Sequence, residues 1–277
     1  MLECDHNDSR TDSLLEMEYF MIRNPLIPGA ALAAALTLVA ICAIAAPIPH
    51  NIAAAVADGN RPDADKQRDA DRKPAQILAF TGVRPGEQVA ELLPGGGYFT
   101  RLFSKAVGGS GHVYALVPPP RPNAPSGPQD FAARVKVIAA DPNYSNVSVV
   151  VEPFSELAVP APVDLVWTSQ NYHDLHNIPG LDLATFNKMV FEDLKPGGIY
   201  LILDHVAEAG SGTRDTKTLH RIDPEAVKRE VLAAGFTFVG SSNLLHHAND
   251  AHTLKVFDPA IRGKTDQFIL KFRKPRK

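Results

Sequence analysis

Apolar and polar positions along residues 74–277 follow two rhythms. Short apolar runs recur at 88–93 (QVAELL), 111–117, 147–151, 163–169 and 199–204, each bounded by Gly, Pro or polar clusters. Runs of that length and setting predict buried β-strands. Between them the period lengthens. In YFTRLFSKAVGG the apolar residues fall at 98, 99, 102, 103, 106 and 107, a helical spacing closed by Gly108 and Gly109. Helices are also predicted at 74–81, at 129–140 and over LDLATFNKMVFEDLKPGG. Another spans DPEAVKREVLAAGF, with Asp223 as N-cap, Pro224 at the first position and Gly235 at the end. Two last strands, in FTFVGSSNLL and DQFILKFRK, have no helix between them and are expected to pair antiparallel. The polar loop joining them, 246–266, is expected to be solvated, His246, His247 and His252 included. Alternation of strands and helices predicts an α/β fold, a doubly wound, mostly parallel seven-stranded sheet with an antiparallel last strand.

The pattern changes ahead of residue 74. Residues 29–46, GAALAAALTLVAICAIAA, are apolar, Ala-rich and uncharged. Met21 opens a short positive stretch, MIRNPLIPG, that suits a start better than the acidic residues 1–20. Ala55-Val56-Ala57 offers a small-x-small cleavage site before Asp58. Residues 1–57 therefore read as a signal peptide, with export to the periplasm expected. The alternative is an uncleaved membrane anchor, because the run is about long enough to span a bilayer. Arg61, Lys66, Arg68, Arg72 and Lys73 would then keep the body cytoplasmic. Residues 58–73, DGNRPDADKQRDADRK, are polar and aperiodic and read as a linker, leaving 74–277 as the folded domain.

Composition narrows the function classes. The 277 residues carry a net charge of −3, and pI is near 6.4, which argues against a nucleic-acid binder. The basic C-terminal stretch KFRKPRK reads as a solvated tail. Cys4 and Cys42 are the only cysteines, so the body has no disulfide, no Cys-based zinc site and no catalytic thiol. The Gly-x-Ser-x-Gly elbow of the common serine hydrolases is absent. With no obvious docking domain for a macromolecule, the expected partner is a small molecule.

The stretch VAELLPGGGYFT, residues 89–100, carries the first candidate chemistry. The strand 88–93 carries the acid Glu91, and Gly95, Gly96 and Gly97 lead into a helix that begins near Tyr98. Glycines there allow positive φ and a close approach of backbone to ligand, and the helix start offers free N–H groups. With VDLVW followed by NYHD, DLKPGGIYLILDH and a late AGF, this order resembles the class I S-adenosylmethionine-dependent methyltransferases over about residues 74–277. NYHDLH, LDH and LHRID look most like a group of often exported methyltransferases. The resemblance implies a Rossmann-like fold and S-adenosylmethionine as cofactor. It places Gly95 and Gly97 beside the methionine part, Glu91 on its amino group, and Glu152 toward the adenine. Gly96, Tyr98 and Asn171 complete the implied cofactor set. One departure stands out. Leu116 and Val117 end the second strand where most of the superfamily has an acid for the ribose hydroxyls.

Asn171, Tyr172, His173, Asp174 and His176 follow the fourth strand, Asp204 and His205 end the fifth, and His220, Arg221 and Asp223 precede a helix. A doubly wound sheet brings all three segments to one carboxyl edge. His173 or His205 is expected as general base, with Asp174 or Asp204 orienting it and His220 nearby. The alternative is a divalent metal. By resemblance to magnesium-dependent catechol-type O-methyltransferases, Asp204 with Asn171 or Asp174 would hold it, although several imidazoles suit zinc better. A non-enzymatic exported module binding a small ligand or a metal is the competing function.

Overall fold

In a computed structural model of the chain, residues 47–120 and 131–276 are described. Strands β1 (Gln88–Leu92), β2 (His112–Val117), β3 (Val147–Val151), β4 (Val163–Ser169), β5 (Leu194–His205), β6 (Thr237–Ser242) and β7 (Gln267–Arg273) form one sheet. Their order is β3-β2-β1-β4-β5-β7-β6. The first five run parallel, and β7 lies antiparallel between β5 and β6. The predicted α/β architecture and antiparallel closing pair are thus both found.

Alternate residues of each strand feed opposite faces, as the two-residue period requires. Val89, Leu165, Trp167, Leu201 and Leu203 pack toward α1 (His50–Val56), α4 (Pro74–Thr81) and α5 (Tyr98–Val107). Ala90, Val166, Tyr200 and Ile202 pack toward α8 (Leu183–Asp193) and α9 (Pro224–Ala233). A short helix α6 (Phe131–Ala139) covers β2 and β3 through Ala132 and Val135. Asp223 caps α9 as expected, accepting from the Glu225 N–H.

Three boundaries differ from the sequence reading. Residues 58–73 are no linker: they contain α2 (Asp63–Lys66) and α3 (Asp69–Arg72), fastened to the body. Arg61 is 2% exposed and pairs with Asp69 at 2.6 Å, and Arg101 of α5 pairs with Asp65 at 2.7 Å. Charge pairs rather than an apolar face hold this segment, so hydrophobic periodicity could not reveal it. The folded body also takes in α1, whose Ile52 and Ala55 are fully buried, so a cut before Asp58 would remove core residues. Finally, KFRKPRK is half strand: Lys271 to Arg273 belong to β7, with Phe272 fully buried. The apolar run 29–46 and the Met21 start lie outside the described residues. Among the described residues, no helix is long and apolar enough to cross a membrane.

Candidate active site

The turn after β1 is built from strained and open positions. Leu93 has φ 52°, a left-handed conformation unusual outside glycine. It is pinned there: its N–H donates to Leu116 O at 3.0 Å, and its carbonyl accepts from Asn171 Nδ2 at 3.0 Å. Gly95 follows at φ 60°. A Cβ on Gly95 or Gly96 would meet no atom within 4 Å, so both face open space. Gly97 differs: a Cβ there would lie 2.0 Å from Ile138 Cδ1, so this glycine serves packing.

Glu91 sits beneath the turn, 3% exposed, accepting from Thr100 Oγ1 at 2.5 Å. Burial pushes its carboxyl up to about 7, against the opposing pull of Thr100, Arg101 and Arg72. Tyr98 does not face outward. It is buried, and its hydroxyl donates to Asp69 at 2.6 Å under the 58–73 segment. Asn171 acts on the turn through Leu93 and also donates to Ser169 O at 2.7 Å.

Arg72 stands out among the residues that sequence reasoning used only as a topology signal. Its guanidinium lies 4.7 Å from the Tyr98 ring centroid and 5.5 Å from that of Phe99, and it donates to Gln170 Oε1 at 3.1 Å. Burial and neighbouring Arg68 bring its pKa down to about 10. Among the described residues it forms no ion pair with a carboxylate. Gln170, itself at φ 62°, passes the contact on by donating to Gln267 Oε1 at 2.9 Å.

At the end of β2 the apolar substitution is real. Leu116 and Val117 are 1% and 0% exposed, and Val117 packs with Ala132 and Val135. Glu152 gathers into neither site: it is exposed at the end of β3, where its N–H donates to Val117 O.

The histidine cluster does assemble. A short helix α7 (Tyr172–Leu175) after β4 presents His173 to Asp204 at the end of β5. Asp204, fully buried, accepts from the His173 N–H, from His173 Nδ1 and from the His205 N–H, each at 2.8 Å. Burial alone would raise the Asp204 pKa, but the His173 charge and these bonds lower it. Burial likewise works against charge on His173, and Asp204 and Asp174 overcome it, pushing His173 up to about 10. These two carboxylates favour the charged form of His173, which works against the expected role of general base. His205 is driven down to about 4, chiefly by burial, and its Nδ1 bonds Thr265 Oγ1 at 2.9 Å. Burial thus favours its neutral form. His220, at φ 56°, brings Nδ1 to 3.3 Å from His173 Nε2 and 3.4 Å from Asp174 Oδ1. His176 leaves the cluster and faces Glu230 at 3.2 Å.

Most of the 246–266 loop is exposed, as expected, but it is anchored through the buried Asp250 and Asp266. Arg221, 0% exposed, holds Asp250 through two contacts at 2.9 and 3.0 Å and also donates to Val206 O and Leu254 O. His246 and His252 both bond Asp266, at 2.9 and 3.0 Å. The loop thereby sets Phe257 at 4.9 Å from the His220 ring. The sequence hinted at this only through the polar spacing of Arg221, Asp250 and Asp266.

No protein-family model and no curated protein matches the chain. Solved structures do share its architecture. It is similar to a SAM-dependent methyltransferase from Aquifex aeolicus, at 18% identity over 77% of this chain and 98% of that one, with a TM-score of 0.54. The fold is that of the S-adenosylmethionine-dependent methyltransferases. A second match, the glycopeptide N-methyltransferase MtfA solved with sinefungin, has 18% identity, coverage of 75% and 86%, and a TM-score of 0.51. The 4+2 cyclase SpnF has the same fold, at 18% identity, coverage of 79% and 85%, and a TM-score of 0.50. A methyltransferase fold therefore does not dictate the reaction, which has to be argued from the site.

Proposed function

We propose that the protein transfers a methyl group from S-adenosylmethionine to a small molecule held at the carboxyl edge of the sheet. One observation carries the reading. Glu91 lies beneath a glycine turn whose Gly95 and Gly96 face open space, and Arg72, close enough to act on the Glu91 charge, packs on the Tyr98 and Phe99 rings that follow the turn, so a carboxylate and a guanidinium stand ready for a ligand carrying both charges. The amino-acid end of S-adenosylmethionine carries an ammonium and a carboxylate, and the residues present fit it. Glu91 would hold the ammonium and Arg72 the carboxylate. Leu116 and Val117 leave the nucleoside without the usual strand-end acid, so affinity rests on the amino-acid end. When bound, the cofactor supplies an electrophilic methyl group on sulfur. The chain supplies alignment: Asn171 fixes the turn to the end of β4, and His173, Asp174 and His220 converge where an acceptor would sit.

This reading has a pH signature. Glu91 is half protonated near pH 7 and must ionise to pair with an ammonium. Affinity for S-adenosylmethionine should therefore fall about tenfold for each pH unit below 7 and level off above it. Arg72→Met should weaken binding at least tenfold at pH 8, as loss of a charged hydrogen bond does. Calorimetric titration checks both. A pH-independent affinity that Arg72→Met leaves intact would sink the assignment.

We also propose export, with processing ahead of the buried helix α1. Ala43-Ile44-Ala45 repeats the small-x-small pattern before Ala46 and would spare Ile52 and Ala55. N-terminal sequencing of periplasmic protein should then read from Ala46. A start at Asp58, or an intact N-terminus with a cytoplasmic body, would reject this proposal.

A further inference from the structure

Three potential donor atoms at the candidate active site form a nearly equilateral triangle. His173 Nε2 lies 3.3 Å from His220 Nδ1 and 3.3 Å from Asp174 Oδ1, and His220 Nδ1 lies 3.4 Å from that same oxygen. We propose that His173, His220 and Asp174 bind a divalent transition metal of the zinc class. A tetrahedral ion at ~2.0–2.1 Å from each ligand has ligand-to-ligand edges of ~3.3–3.4 Å. The triangle matches those edges. Octahedral magnesium would need edges of ~3.0 Å and oxygen donors in place of two imidazoles.

Three further features belong to such a site. His173 directs its other ring nitrogen, Nδ1, at Asp204, which is the outer carboxylate that fixes a metal-binding imidazole. His220 holds a strained left-handed backbone, and strain of this kind collects at ligand clamps. The side chains of Asp174 and His220 are 43% and 24% exposed, whereas His173 is 3% exposed. The triangle is therefore rooted in the core and open on one side, as catalytic zinc sites with three protein ligands are.

The open side gives the metal a fourth position for water or for an acceptor oxygen or nitrogen. An acceptor hydroxyl bound there would lose its proton to solvent more readily than it does free in water. That last role rests on the methyl-transfer reading, and the metal site itself does not.

The test uses the full, untagged chain with Cys4 and Cys42 replaced by serine, stripped by a chelator and titrated with zinc and with cobalt(II). One tight zinc per chain is expected, and the cobalt form should show the intense visible bands of a four-coordinate ion. His220→Ala and Asp174→Ala should each weaken zinc at least about 100-fold, and Asp204→Asn about 10- to 100-fold. His246→Ala should change nothing. Absence of stoichiometric zinc, weak six-coordinate cobalt bands, or parental affinity in folded His220→Ala would each overturn the site. Titrating the same samples with S-adenosylmethionine separates the two readings. Cofactor binding without metal rejects only the metal, and metal binding without cofactor rejects only the methyl-transfer reading.

Discussion

Asp250→Ala is expected to destabilise the protein by about 3–5 kcal/mol, the usual result of removing one partner from a buried ion pair. The reason is specific to its partner. Arg221 is 0% exposed and cannot discard its charge, because a guanidinium stays protonated in proteins. Among the described residues it would then keep the carbonyls of Val206 and Leu254 but no carboxylate. Asp250 also accepts from the N–H groups of His252 and Asp266, so three links of the 246–266 loop fail together. At about 2–4 °C per kcal/mol for a body of this size, Tm should fall by roughly 10 °C. Thermal and urea unfolding check the value. A loss under about 1 kcal/mol would mean that the loop is not fastened as described.

Gly96→Arg should abolish S-adenosylmethionine binding, by a factor of at least about 100, while leaving the fold intact. A Cβ at Gly96 meets no atom within 4 Å, and φ there is not positive, so the protein itself tolerates a side chain. The added arginine would occupy the space over the turn and set a second cation beside Arg72, competing for the ligand carboxylate. Gly97→Ala makes the useful contrast. It combines φ 76° with a Cβ 2.0 Å from Ile138, so its damage should fall on stability. Circular dichroism and calorimetry on each variant distinguish the two effects. Parental affinity in folded Gly96→Arg would move the cofactor away from this turn.

The sheet was legible because its strands are carried by apolar runs. The ranges 147–151 and 163–169 match β3 and β4 to the residue. β5 runs longer than expected because the chain of LKPGG, read as a helix end, continues straight into the strand, with an irregular register beside Val163 and Leu165. The glycine turn was legible in kind but not in detail. Sequence alone cannot tell that Gly95 and Gly96 face open space while Gly97 packs on Ile138. The 58–73 segment was missed because buried charge pairs hold it, and Arg72 with it. The histidine site was half visible. Topology explains why residues 173, 204 and 220 converge, but only the folded geometry separates His173 and His220, which share a triangle with Asp174, from His176, which turns to Glu230.

Calorimetric titration of the full chain at pH 8 decides whether the glycine turn holds S-adenosylmethionine by its charged end. Saturable binding is expected, one per chain and in the micromolar range, and Gly96→Arg should remove it. Absence of binding to folded protein, with and without added zinc, would contradict it and leave a methyltransferase fold holding some other ligand.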